Sequence, residues 1–257
     1  MNIIVCVKSC IDLEASTLVP KGDRLDEEKL RYIIGEWDQL AVQEAVRLKE
    51  EYGGKVSVVT VGAKNKRDAI TWALALGADE AFHIVYEPDF PSDPFVVAGI
   101  LSRVISGMKF DLVLTGQQSA DENYMQTGII LAELLGVPHV SSVIKIDKIE
   151  GEKMIVHREV EGGLIEVFET TIPALLTVQT GITKPKYVTF MALRLAQKKP
   201  VKTINVADLG INIADLKRID VKRIYEPIYE RKAKIIEGDI DKVTDELLKI
   251  LAELKII

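Results

Sequence analysis

Apolar and polar positions along this chain change period again and again. Residues 2–8 form a nearly unbroken apolar run, the pattern of a strand covered on both faces. Over residues 38–52, Leu40, Ala41, Ala45, Val46 and Leu48 fall on one broad helical face, and Gly53-Gly54 stops the pattern. Residues 55–61 (KVSVVTV) return to a strand rich in β-branched side chains. Residues 64–76 read as a helix ended by Gly77, and residues 80–85 as a short strand. A third helix is predicted over 94–108, with Val97, Ile100, Leu101, Val104 and Ile105 turned inward. A strand follows at 110–115, then a helix over 124–135 closed by Gly136. Such alternation predicts an α/β fold, a mainly parallel, doubly wound sheet of the Rossmann-like kind.

The rhythm changes after Pro138. Residues 139–147 look extended, and 153–159 and 164–171 are strand-like stretches flanking Val160-Glu161-Gly162-Gly163. The two glycines supply the positive φ of a tight β-hairpin, placed at 153–171. Residues 173–178 form another apolar strand. Beyond Gly181 the α/β alternation is lost, and residues 200–236 read as an arm that needs another surface to lie on. Residues 239–254 close the chain as an amphipathic helix, with Ile240, Val243, Leu247, Leu251 and Leu254 at spacings of three and four and Asp239 as N-cap. The expected organisation is an α/β domain over 1–199 and a C-terminal arm and helix over 200–257.

Composition narrows the function. The 257 residues carry 33 basic and 39 acidic side chains, a net charge of −6, which argues against nucleic-acid binding and against adsorption to an anionic membrane. No apolar run approaches the roughly 18 residues of a membrane helix, and the N-terminus lacks the basic start and cleavage site of a signal peptide. Direct membrane insertion is therefore not expected, and the expected location is cytoplasmic. The two cysteines, Cys6 and Cys10, lack the spacing of a redox or zinc motif. Cys6 is expected inside a strand, and Cys10 in a solvated loop.

In an open parallel sheet, ligands gather beyond the carboxyl ends of the strands. The loops that matter are then 8–12, 62–65 and 116–127. The last is a polar stretch, Gly116-Gln117-Gln118-Ser119-Ala120-Asp121-Glu122-Asn123, between a buried strand and a helix. A helix starting near Asn123–Tyr124 offers open N–H groups that suit a phosphate. Gln117, Gln118 and Gln126 are candidates to hydrogen-bond a base or sugar, and Ser119 and Thr127 to reach phosphate oxygens. The plainer alternative is that Asp121, Glu122 and Asn123 only cap the helix, Asn123 and Gln126 forming a capping box. The loop is neither a Walker A nor a Gly-x-Gly-x-x-Gly motif, so it carries no sign of phosphate hydrolysis. His83, His139 and His157 stand in no catalytic sequence context and read as structural. No catalytic residue and no metal site is expected.

Several motifs together resemble the beta subunit of electron transfer flavoprotein, a family that includes FixA-type proteins. They are Val5-Cys6-Val7-Lys8 with Asp12, Leu40-Ala41-Val42-Gln43-Glu44-Ala45, Ala73-Leu74-Ala75-Leu76-Gly77-Ala78-Asp79, and the Asp111–Gly128 loop region. The most specific run is Val156-x-Arg158-Glu159-x-x-Gly162-Gly163, then Pro173-Ala174, Pro185-Lys186-Tyr187 and Ala196-x-Lys198-Lys199. The resemblance implies a heterodimer with an alpha subunit, an electron-transferring FAD shared with that subunit, and in this subunit either AMP or, in electron-bifurcating members, a second FAD. Carried over, the cofactor-binding residues are Cys6, Val7, Lys8, Asp38, Gln39, Leu40, Val61, Gly62, Gly116, Gln117, Gln118, Ser119, Ala120, Asp121, Asn123, Tyr124, Met125, Gln126 and Thr127. Residues 186–195 match the recognition loop that anchors partner dehydrogenases, with Tyr187, Phe190 and Met191 exposed there and Phe190 as anchor. Glu159 matches an acidic residue that pairs with the alpha subunit, and the C-terminal arm and helix are expected to dock on it. The implied partners are the alpha subunit, a flavoprotein dehydrogenase, and a membrane quinone-reducing acceptor, with a ferredoxin-like subunit in some bifurcating assemblies. Bifurcating members carry small residues where Glu122, Tyr124 and Met125 stand, which favours AMP here. The competing class is an adenine-nucleotide-binding enzyme or sensor of the same fold.

Overall fold

A computed structural model describes residues 1–86, 92–227 and 233–257. In chain order its elements are β1 (Asn2–Cys6), β2 (Ser9–Ile11), β3 (Pro20–Lys21), β4 (Arg24–Leu25), β5 (Tyr32–Ile34), α1 (Glu36–Tyr52), β6 (Lys55–Gly62), α2 (Asp68–Leu76), β7 (Glu80–Val85) and α3 (Pro94–Ile105). They continue with β8 (Leu112–Gly116), α4 (Thr127–Leu135), β9 (His139–Glu150), β10 (Lys153–Val160), β11 (Leu164–Thr171), β12 (Ala174–Val178), α5 (Phe190–Ala196), β13 (Val201–Asn205), α6 (Ile213–Leu216) and α7 (Ile240–Glu253).

Nine strands form one sheet in the order β11-β10-β9-β12-β8-β1-β6-β7-β13. The pairs from β9 through β13 are all parallel, and β9, β10 and β11 form an antiparallel meander at one edge. The central strands are buried on both sides, which explains the unbroken apolar run of β1. Ile3 and Val5 face a core that includes α1 and α2, while Ile4 and Cys6 face one that includes α3 and α4. From β1 the chain winds outward through β6 and β7, then returns by α3 to β8 on the other side of β1. Strand order therefore reverses between β1 and β8, where a parallel sheet opens a crevice.

The α/β pattern and the hairpin stand where the sequence put them, the latter as β10 and β11 turning at Gly162 (φ 78°) and Gly163 (φ 73°). Two helix starts differ by three residues or more. The helix expected from residue 64 begins at Asp68, and the one expected from 124 begins at Thr127. Asn123 (φ 56°) and Met125 (φ 57°) are left-handed, so a right-handed helix cannot run through them, and no capping box forms between Asn123 and Gln126.

The arm also finds a surface on its own chain. Val201–Asn205 adds a parallel strand to β7, and Leu216 of α6 packs against Gly99 of α3. The chain divides into compact units at Met1–Ile224 and Tyr225–Ile257, where the sequence set the boundary at residue 199. In the second unit, Asp239 caps α7 through Lys242 N–H (3.0 Å), Lys234 pairs with Glu246 (2.8 Å), and Ile240, Leu247 and Leu254 lie exposed. Among the described residues, no helix is long and apolar enough to cross a membrane.

Candidate functional site

Beyond the carboxyl ends of β1, β6 and β8 lies a cavity of about 430 Å³, within the range of small-molecule sites. Cys6, Val7 and Lys8 enter it from β1, Val61 and Gly62 from β6, and residues 115–119 from β8 and its loop. Residues 124–128 close it at the start of α4.

Asp38 sits at the floor of the cleft. It lies in the first turn of α1, and its carboxylate accepts hydrogen bonds from Lys8 N–H (2.7 Å) and Gly116 N–H (3.0 Å), tying together the strand ends that diverge at the reversal. Burial pushes its pKa up to about 7, against the stabilising effect of those two hydrogen bonds. Gly116 has no room for a side chain, because a Cβ would stand 2.4 Å from Asp38 Oδ1. Asp38 is thus the brace of the cleft.

A second group of charges joins three segments. Lys8 Nζ lies 2.7 Å from both Asp121 Oδ1 and Glu122 Oε2, and 3.3 Å from Ser119 Oγ. Asp121 also accepts from Ile11 N–H (3.0 Å), and Glu122 accepts from Ser92 N–H (2.5 Å) and Ser92 Oγ (2.7 Å). Burial opposes the charge on Asp121, but the Lys8 ammonium outweighs it and holds the carboxyl below the usual aspartate range. Burial likewise opposes the charge on Lys8, and Glu122 and Asp121 overcome it and raise the ammonium pKa. Asp121 and Glu122 therefore both face a lysine, and no group of metal-ligating side chains occurs among the described residues.

Two features of the cleft are left open by the chain's own groups. Among the described residues, Gln118 Oε1 is buried without a hydrogen-bond partner. The first bond of α4 runs from Ile130 N–H to Gln126 O (3.0 Å), and no side chain caps the helix, so its leading N–H groups stay open. Gly128 lets the helix start close to the sheet, since a Cβ there would stand 2.5 Å from Thr115 Oγ1 and 2.6 Å from Thr177 Cγ2. An acceptor for an amino group beside open donors for an anion matches an adenosine phosphate.

Most of the sequence-derived cofactor residues line this cleft, with four exceptions. Leu40 is a core residue under the sheet, and Gln39, Ala120 and Asn123 are absent from the lining. Gln117 lines the cleft but is already engaged, its Oε1 accepting from Ser142 N–H (2.9 Å) and from Thr177 Oγ1. Cys10, expected in a solvated loop, is buried in β2 with its thiol pKa pushed up by burial and by Asp38. Cys6 is a strand-interior residue as read from the sequence, and His83 is a buried neighbour of Gly62 O (3.3 Å). Tyr187, Phe190 and Met191 are 90%, 74% and 62% exposed, so they do not pack into the chain's own core. Glu159 is exposed on β10.

Other lining residues escaped the sequence reading. Arg24, Leu25, Glu27 and Tyr32 come from the stretch between β2 and β5, and Lys66 from the loop after β6. Their segment has no helical or alternating period; the only hints are turn-forming Pro20 and Gly22 and the isolated apolar Leu25, Leu30 and Tyr32. Ser92, Val97 and Leu101 enter from the start of α3, which looked like ordinary core.

Comparison with known proteins agrees with this geometry. The electron transfer flavoprotein domain matches residues 24–209. The chain is 34% identical to the electron transfer flavoprotein subunit beta of Methylophilus methylotrophus, across 99% of both chains. It is 30% identical to that of Bacillus subtilis (strain 168) across the full length of both. It is 33% identical to the mitochondrial subunit beta of Oryza sativa subsp. japonica, over 96% of this chain and 97% of the relative. With the sheet reversal, the braced cleft and end-to-end relatives in agreement, this chain belongs to the electron transfer flavoprotein family as a beta subunit.

Proposed function

We propose that this beta subunit joins an alpha subunit as a heterodimeric electron carrier, and that its own cleft holds AMP as a structural nucleotide. The observation that carries the nucleotide assignment is the buried, unpartnered Gln118 Oε1 sharing one cavity with the uncapped start of α4. AMP is favoured over a second FAD by two side chains. Glu122 is drawn inward by Lys8 and Ser92, and Tyr124 lines the cavity, so both fill space that a longer dinucleotide needs.

The electron-transferring FAD shared with the alpha subunit supplies the redox chemistry. The residues of this chain do other work. Asp38 and the Lys8–Asp121–Glu122 group fix the strand ends and the loop, so the nucleotide meets a preformed cleft. The exposed cluster of Tyr187, Phe190 and Met191 offers an aromatic anchor for a flavoprotein dehydrogenase, as small interfaces draw most of their affinity from a few such residues. Glu159 and the C-terminal unit are assigned to the alpha subunit, and the carrier is assigned to the cytoplasm and to a quinone-reducing acceptor at the membrane.

Flavin and nucleotide stoichiometry of the purified complex tests this reading. One FAD with one extractable AMP per heterodimer is the expected result. Two FAD would make it a bifurcating subunit instead, and a complex without any nucleotide in this subunit would refute the assignment of the cleft.

A further inference from the structure

We infer that residues 20–32 are the cover of the nucleotide cleft, and that Ile224, which does not touch the cleft, is the latch that holds the cover shut. The inference rests on the adenosine-nucleotide reading of the cleft. Between β2 and β5 the chain leaves the sheet and builds the β3–β4 hairpin and a short 3-10 turn at Glu27–Lys29. Arg24, Leu25, Glu27 and Tyr32 of this excursion face the cavity. The excursion shares neither of the two main cores. It has a small one of its own, made of Ile11, Leu25 and Leu30, with Tyr32 and Ile224 packed against it. An element with so few apolar contacts opens at low free-energy cost, so each contact weighs heavily on how often it opens.

Among the described residues, two holds act from outside the excursion. On one side Lys66 donates to Tyr32 Oη (2.8 Å), lies 3.3 Å from Glu27, and sets its ammonium 4.1 Å from the Tyr32 ring centre. On the other side Ile224 supplies an apolar side chain to the small core, and its N–H donates to Gly22 O at the hairpin tip (3.2 Å). Ile224 is presented from a fixed base. Asp93 Oδ2 accepts from Arg218 N–H (2.5 Å) and Ile219 N–H (2.8 Å), while Asp93 Oδ1 caps α3. Asp93 directly follows Ser92, which holds Glu122 in the cleft loop. The arm that carries the latch and the loop that lines the cleft are therefore anchored at consecutive residues. Ile224 is also the last residue before the C-terminal unit begins at Tyr225.

Lys66 lines the cavity, so its replacement would disturb ligand and cover together. Ile224 separates the two. The test uses the complex with its partner subunit, stripped and reloaded with radiolabelled AMP, then chased with excess unlabelled AMP. Ile224→Ala is expected to release label roughly five- to tenfold faster than wild type and to speed hydrogen exchange at the amides of residues 20–32. Ile224→Leu is expected to restore slow release. Ile204→Ala, which makes the same truncation in the edge strand β13, is the control for general destabilisation and is expected to release at the wild-type rate. Equal release from wild type and Ile224→Ala, with AMP bound to both, overturns the latch and leaves the nucleotide reading standing. Wild type that takes up no AMP overturns both.

Discussion

Replacing Lys8 by Met removes one charge and keeps most of the apolar stem. Asp121 and Glu122, with side chains 2% and 5% exposed, then lose the ammonium that each meets at 2.7 Å. Asp121 keeps Ile11 N–H and Glu122 keeps Ser92, so neither becomes a bare ion. Removing one partner of a buried ion pair costs about 3–5 kcal/mol, and the partial exposure of Lys8 together with the surviving hydrogen bonds places this case near the lower end. For a chain of this size, about 3 kcal/mol corresponds to a fall of roughly 6–12 °C in apparent melting temperature. The pH dependence is the sharper readout. In the wild type the Asp121 pKa is depressed, so its contribution is present above the ordinary aspartate pKa and is lost as pH falls through its folded value. The deficit relative to wild type should hold from pH 8 down to the ordinary aspartate range and shrink only as pH falls below it. The assay is the apparent melting temperature of the purified complex at fixed concentration, across that range, with Lys8→Arg as the charge-preserving control. A Lys8→Met complex that melts within about 2 °C of wild type at pH 7 would refute the charge cluster as the strut of the loop.

Three further outcomes follow from the same geometry. Asp38 has a folded pKa raised to about 7, so wild-type stability should decline as pH rises from the ordinary aspartate range toward that value, by up to about 1.4 kcal/mol per pH unit, and level off above it, and Asp38→Asn should remove this slope; parallel urea midpoints for both proteins between pH 5 and 7 would contradict the buried brace. Gly128→Ala forces a methyl against Thr115 and Thr177, displaces the start of α4, and should weaken AMP retention by about tenfold or more, measured by equilibrium dialysis. Phe190→Ala should raise the KM for reduction by the partner dehydrogenase by roughly tenfold with flavin content intact, and loss of flavin at unchanged KM would contradict an anchoring role.

Much of the architecture lies in local pattern. The apolar run at residues 2–8, the helical face of Leu40 to Leu48 and the Gly162-Gly163 turn each depend on neighbours within a few positions, so a reader of the sequence meets their causes together. The loop over 116–127 that lines the cleft is legible for the same reason, as a polar insertion between a buried strand and a helix. Its details were not. Asn123 and Met125 adopt left-handed backbone that no local pattern announced, and that moved the helix start to Thr127.

The sequence by itself determined the order of elements, the two-sided burial of the sheet, the three loops that converge at the crevice and the family motifs. Tertiary structure alone decided what each polar side chain does there. Gln117 and Gln118 are neighbours in sequence, yet one is held by Ser142 and Thr177 while the other's buried Oε1 has no partner among the described residues. Lys8 meets carboxylates more than a hundred residues away, and Cys10 is buried because β2 pairs with β5. Val201–Asn205 is a strand only because β7 offers it an open edge. Periodicity records which face of an element is apolar, whereas hydrogen-bond partners, burial of single charges and edge pairing are set by segments far apart along the chain.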